Sequence, residues 1–150
     1  MRVNKKFLTG FSLIELLVVL AIFAVMASMA LISINHWQPT WKLAAASRSL
    51  TIDLRYAQQR AVTEQVKYSI FFSLEGNYYQ IKRLGESPAL ISQKPLPSGV
   101  SFSSISGFTA DEAVFNVFGA AETAGVVVLE NTSQQIKTLN VRPSGSVKLQ

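Results

Sequence analysis

From position 11 to 34 the chain reads FSLIELLVVLAIFAVMASMALISI, an apolar run broken by one carboxylate, Glu15. At about 1.5 Å per residue this makes a helix of roughly 36 Å, enough to cross the hydrocarbon core of a bilayer. Asn35-His36-Trp37-Gln38-Pro39 interrupts the pattern, and Pro39 predicts a kink or a restart. A second helix then fits positions 41–64. Leu43, Ala46, Leu50, Leu54, Ala57 and Ala61 recur there at threes and fours, while Arg48, Arg55, Gln59 and Glu64 lie elsewhere on the helix. Such an apolar stripe needs a sheet to cover.

The remainder alternates with the period of strands. Val66, Tyr68, Ile70, Phe72 and Leu74 predict one shared face, and Glu75-Gly76-Asn77 turns the chain into Tyr79 and Ile81. Tyr78 and Tyr79 read as cross-strand packing with one ring exposed. Pro88, Pro95, Pro97 and Gly99 predict a loop-rich middle, followed by short strands over 99–102, 113–117, 125–130, 136–141 and 146–149. The expected fold class is α+β: a long N-terminal helical spine, its first half transmembrane, packed on a C-terminal antiparallel β-domain. The organisation expected is a leader at 1–10, a membrane helix at 11–34 and one further domain at 35–150.

Charge changes this picture only at the N-terminus. The net charge of +5 includes Arg2, Lys5 and Lys6, which precede the apolar run; without them eleven basic residues face nine acidic ones, leaving +2. Basic residues ahead of the run place the N-terminus in the cytoplasm and the C-terminal domain outside. Trp37 and Trp41 suit the outward-facing interface of that membrane. The chain has no cysteine, which excludes disulfides, thiolate nucleophiles and zinc-thiolate sites.

Glu15 is the most informative residue. An ionised carboxylate inside a membrane helix costs about 2.5–3.5 kcal/mol on insertion scales, so it requires a partner. Neither a cleaved secretory signal, for which Ser28-Met29-Ala30 offers a small-x-small site, nor a plain signal anchor nor a buried core helix accounts for it. Cleavage after Gly10 does. The new α-amino group of Phe11 would lie one helical turn from Glu15 and could face the same carboxylate of a neighbouring subunit, and a first-turn acid also suits the helix dipole.

Gly10-Phe11-Ser12-Leu13-Ile14-Glu15, behind a short basic leader and ahead of an unbroken apolar run, resembles the class III signal of type IV pilins and type II secretion pseudopilins. The resemblance implies that Gly10 precedes the prepilin peptidase cut. Phe11 would become the N-methylated terminus, and Glu15 the assembly glutamate. Leu50-Thr51-Ile52-Asp53-Leu54-Arg55-Tyr56-Ala57-Gln58-Gln59-Arg60-Ala61 is similar to the "L-x-x-D-L-x-x-A-x-x-x-A" helix of GspH/FimT-type minor pseudopilins. So are the strands from Val114 to Gly119, Gly125 to Leu129 and Val141 to Leu149. The resemblance implies a structural subunit of a pseudopilus or pilus, acting in filament assembly or priming and in protein secretion. Its partners would be other pilin or pseudopilin subunits, the prepilin peptidase and the inner-membrane assembly platform, with no cofactor. It would be a single-pass protein of the bacterial inner membrane with a periplasmic domain, and extension would be driven by a cytoplasmic ATPase.

No catalytic constellation is present: there is one histidine, scattered carboxylates and no glycine-rich phosphate loop, so the chain is read as a non-enzyme. His36 suits packing at the membrane edge. Asp111-Glu112 could bind a cation, though adjacent loop carboxylates are ordinarily solvated. The alternative function is DNA binding in natural transformation, since some FimT-type minor pilins carry a basic "G-R-x-R" element. Its counterpart here is Gly145-Ser146-Val147-Lys148, with serine and lysine in place of the arginines. A hairpin through Pro143-Ser144-Gly145 would set Arg142 and Lys148 on one face as candidate DNA contacts, with Lys137 nearby. The plainer reading is that these charges keep exposed strands soluble.

Overall fold

The computed structural model describes the backbone of residues 11–150 and the side chains of residues 11–28 and 38–150. The leader 1–10, Gly10 included, and the side chains of His36 and Trp37 lie outside the described residues. The chain divides into two compact units, Met1–Trp37 and Gln38–Gln150.

Helix α1 is a single element, Leu13–Glu64, with Pro39 inside it. The restart expected near Trp41 is therefore corrected. An internal proline removes one N–H donor and crowds the carbonyl four residues back, a penalty of about 3 kcal/mol. Helical sequence on both sides outweighs one missing bond.

In the first unit, the large apolar side chains from Phe11 to Met26 are all exposed. Among the described residues no helix is long and apolar enough to cross a membrane. The described apolar stretch, residues 13–28, falls short of the roughly 20 residues a span requires. The rest of the expected span, 29–34, lies outside the described side chains.

In the second unit, α1 presents Leu43, Ala46, Leu50, Leu54, Ala57 and Ala61 inward, the stripe its spacing predicts. They join one buried cluster with residues of two sheets. The first sheet comprises β1 (Tyr68–Ser73), β2 (Tyr78–Arg83), β3 (Ala89–Pro95) and β5 (Glu112–Phe115), in the order β3-β2-β1-β5. The second comprises β4 (Val100–Ser106), β6 (Gly125–Asn131), β7 (Ile136–Val141) and β8 (Val147–Leu149), in the order β4-β6-β7-β8. All pairings are antiparallel.

Three strand expectations need correction. Leu74 falls in the β1–β2 turn and is exposed, because the ladder closes at Ser73 and Tyr78. The loop-rich middle contains β3, an edge strand with an exposed apolar pair, Leu90 and Ile91. Its prolines disguised it: an edge strand has one side without ladder bonds and tolerates them. Strand β4 continues past 102 through a register shift between Phe102 and Ser104, which alternation cannot reveal.

Candidate functional site

The start of α1 is built by local chemistry. The Leu16 N–H donates to the Ser12 carbonyl at 3.2 Å, which puts Ser12 at the capping position. Glu15 stands three residues on, in the first turn, in the spacing of a capping box. That spacing was legible in Ser12-Leu13-Ile14-Glu15 and adds a local reason for a carboxylate there: it lies beside unpaired backbone N–H groups at the positive end of the helix. Phe11 and Glu15 are both exposed and separated by the four residues that the expected amine–carboxylate pair needs.

The basic residues of the last hairpin are brought together only in part. Arg142 N–H donates to the Ser146 carbonyl at 3.0 Å, and Gly145 N–H to the Arg142 carbonyl at 2.8 Å, closing the turn that Pro143-Ser144-Gly145 predicts. Asn140 pairs with Lys148 across the ladder, so Arg142 and Lys148 share the outer face as diagonal neighbours. Both line a surface cavity of about 440 Å³ with Ser106, Asn140 and Gln150. Lys137 does not join them. It alternates with Thr138 and shares the side of Leu139 and Val141, so its expected place beside the pair is corrected.

Gly145 has a structural reason for being glycine. Its φ is +80°, and a Cβ there would collide with the Gly119 carbonyl, itself at a residue with φ of +79°. That carbonyl accepts a 2.7 Å bond from Gln58 Nε2. Helix, 116–121 loop and final hairpin are thereby tied at one point.

A buried polar cluster went unread in the sequence. Asp53, on the core side of α1, is 6% exposed. Its carboxylate accepts the Tyr79 hydroxyl at 2.5 Å and both of its oxygens accept Lys94 Nζ at 2.8 Å. Burial, followed by the bond to Asp53, raises the Tyr79 hydroxyl well above the ordinary tyrosine range. Tyr79 is thus the buried ring of the tyrosine pair, while Tyr78 is half-buried. The signal was Asp53 between Leu50 and Leu54: a carboxylate within an apolar stripe needs a partner from another element. Glu64 makes a second such tie, accepting Tyr68 Oη at 2.5 Å and pairing with Arg60 at 3.0 Å.

Glu112 is not a solvated loop acid. It lies in β5, accepts the Ser69 hydroxyl at 2.7 Å and faces Lys82 at 3.6 Å, so one of the two adjacent carboxylates, expected to be solvated, is already engaged.

Known proteins place these features. Residues 9–31 match the prokaryotic N-terminal methylation motif. The fold is similar to the minor pseudopilin EpsH of the type 2 secretion system of Vibrio cholerae, with a TM-score of 0.63 at 12% identity over 73% of this chain and 96% of that one. It is also similar to the type IV minor pilin FimU of Pseudomonas aeruginosa, with a TM-score of 0.58 at 18% identity over 72% and 87%. Against curated proteins the sequence finds no match. The chain therefore combines an N-terminal methylation motif with a minor-pilin-like fold. The solved structures with this fold include both a secretion pseudopilin and a pilus subunit.

Proposed function

We propose that the chain is a minor pilin or pseudopilin, a structural subunit incorporated into a type II secretion pseudopilus or type IV pilus. The observation that carries this reading is the methylation motif at 9–31 joined to a soluble unit with a minor-pilin-like fold. A prepilin peptidase removes 1–10 by cutting between Gly10 and Phe11, and Phe11 is then N-methylated. Residues 11–34 anchor the protein in the inner membrane with the 35–150 domain in the periplasm, and later pack among like helices in the filament. The exposed apolar surface from Phe11 to Met26 supports this, since such a surface requires lipid or other helices around it. Its function is binding, not turnover. Its partners are other pilin-like subunits, the peptidase and the inner-membrane assembly platform.

Two variants test the reading in a host that carries the assembly machinery. Gly10→Val obstructs approach of the peptidase to the backbone and leaves full-length precursor on a gel; normal processing would contradict the cleavage role. Glu15→Val permits cleavage but removes the protein from sheared filaments. Unchanged incorporation would contradict the assembly role.

A second reading, DNA binding during uptake, is favoured by one observation: Arg142 and Lys148 line the same 440 Å³ cavity. Two phosphate contacts give weak binding that fades steeply with salt. Titrating the full-length protein in detergent with duplex DNA tests this. Binding lost in Arg142→Ala and Lys148→Ala supports uptake, and no binding at low salt contradicts it.

A further inference from the structure

The two ends of the second unit differ in charge. At one end Gln58 Nε2 donates to the Gly119 carbonyl at 2.7 Å and Ala121 N–H to the Pro143 carbonyl at 3.1 Å, which gathers the end of α1, the 116–121 loop and the last hairpin. That end carries Arg60, Glu64, Lys67, Arg83, Glu122 and Arg142, and all but the last are in ion pairs. At the other end Thr40 Oγ1 donates to Gln135 Oε1 at 2.8 Å, Thr132 N–H to the Gly99 carbonyl at 3.1 Å and Leu96 N–H to the Asn77 carbonyl at 2.8 Å. Asn77, Gly99 and Thr132 also line one surface cavity of about 400 Å³. The helix around Thr40 therefore shares this end with the β6–β7 turn, the β3–β4 loop and the β1–β2 turn.

These three connections read Thr132-Ser133-Gln134-Gln135, Leu96-Pro97-Ser98-Gly99 and Leu74-Glu75-Gly76-Asn77, with Glu75 as their one charge. Lys42, Lys94, Glu130 and Lys137 flank these segments in sequence, but they lie within helix or strand and are half-buried. The same end exposes large apolar side chains from three separate segments: Trp41 is 66% exposed, Ile136 59% and Leu74 40%. Singly, each is ordinary for a protein surface. Together, on an end nearly free of charge, a tryptophan and two aliphatic side chains suit the boundary between lipid and water.

The course of the chain says which boundary this is. Thr40 lies six positions after Ile34, the last residue of the apolar run, and α1 is unbroken between them. Six residues of helix rise about 9 Å. The headgroup region is about 5–7 Å deep on each side of a bilayer. A bilayer that holds residues 11–34 thus lies within reach of this end and not of the charged one.

We propose that the uncharged end of the second unit rests on the outward-facing surface of the anchoring membrane, with Trp41, Leu74 and Ile136 entering the lipid headgroup layer. The inference rests on the membrane-anchor reading and adds a second lipid contact, made by the second unit itself. The contact is apolar, so it needs no anionic lipid, and it is given up when the subunit leaves the membrane for the filament.

The chain has no cysteine, so a single introduced cysteine carries a nitroxide spin label at one chosen site. Full-length protein with Leu74→Cys, Ile136→Cys or, at the charged end, Ser144→Cys is reconstituted in vesicles of phosphatidylcholine, with and without phosphatidylglycerol. Collisions of the label with oxygen, which concentrates in lipid, are compared with collisions with a water-soluble nickel chelate. The result expected is an oxygen-to-nickel ratio at positions 74 and 136 about threefold above that at 144, in both lipids. Equal ratios at the three positions, in protein that floats with the vesicles, would overturn the lipid contact and leave the anchor reading intact. Protein that does not float would overturn the anchor reading instead. A raised ratio only with phosphatidylglycerol would overturn the apolar basis of the contact. Trp41 supplies a readout without a label: in Trp37→Phe it is the remaining tryptophan, and lipids brominated on their acyl chains are expected to quench its emission. Adding Leu74→Glu with Ile136→Glu is expected to reduce that quenching about twofold. Unchanged quenching would contradict the part assigned to those two residues.

Discussion

The two parts of α1 are opposite solutions to burying apolar surface. Between Phe11 and Met26 large side chains are exposed and one carboxylate, Glu15, interrupts them. Between Leu43 and Ala61 one apolar stripe is covered by the chain's own sheets, and the acid beside it on that face, Asp53, is met by Tyr79 and Lys94. That stripe is satisfied internally. Among the described residues the first part leaves its apolar surface exposed, a condition that the proposed packing against lipid and neighbouring helices would relieve.

Substitutions that break this contrast have effects of graded size. The largest is expected from Gly10→Val and Glu15→Val, which act through other proteins and should remove processing and incorporation, respectively, with no change in thermal unfolding of the second unit. Next comes Leu50→Ala, which leaves a cavity in the fully buried stripe and should destabilise that unit by about 2–5 kcal/mol in a denaturant titration of the detergent-solubilised full chain. Leu20→Ala, the same change in the exposed region, should leave that titration unaltered. Lys94→Met strands the Asp53 carboxylate in a largely buried site and should destabilise the unit by about 3 kcal/mol. Gly145→Ala should cost at least 1 kcal/mol, since both the positive φ and the Gly119 carbonyl oppose a Cβ.

The smallest effect is a pH dependence. Tyr79 is held neutral by burial and by Asp53, so its folded-state value lies above the ordinary one near 10. The stability gained from that neutral hydroxyl is complete below pH of about 10 and is lost as pH rises toward the folded-state value. An ultraviolet titration should show Tyr79 ionising late, and Tyr79→Phe should remove its share of the alkaline destabilisation.

Much of this was legible in the sequence because period and burial agree. The 3.6-residue stripe from Leu43 to Ala61 and the alternation of Tyr68, Ile70 and Phe72 predict buried faces that the structure contains. Strand β7 begins and ends where its pattern does, at Ile136 and Val141. The misses share a different cause. Strand β3 has no buried apolar face and is bounded by prolines, so only its pairing with β2 defines it. Pro39 was read by its local penalty alone, whereas the helix around it is set by sequence on both sides. The role of Asp53 depends on Tyr79 and Lys94, which are distant in sequence and meet it only in the folded sheet. At the last hairpin, one step of strand alternation separates Lys137 from Arg142 and Lys148, a distinction that charge counting misses.

Processing and incorporation are both read out by the intact mass and N-terminal sequence of the protein recovered from sheared filaments of its host. The expected result is a chain beginning at Phe11 with one methyl group on its amine. A chain retaining Met1–Gly10, one cut near Ala30, or no protein in the filament fraction would contradict it.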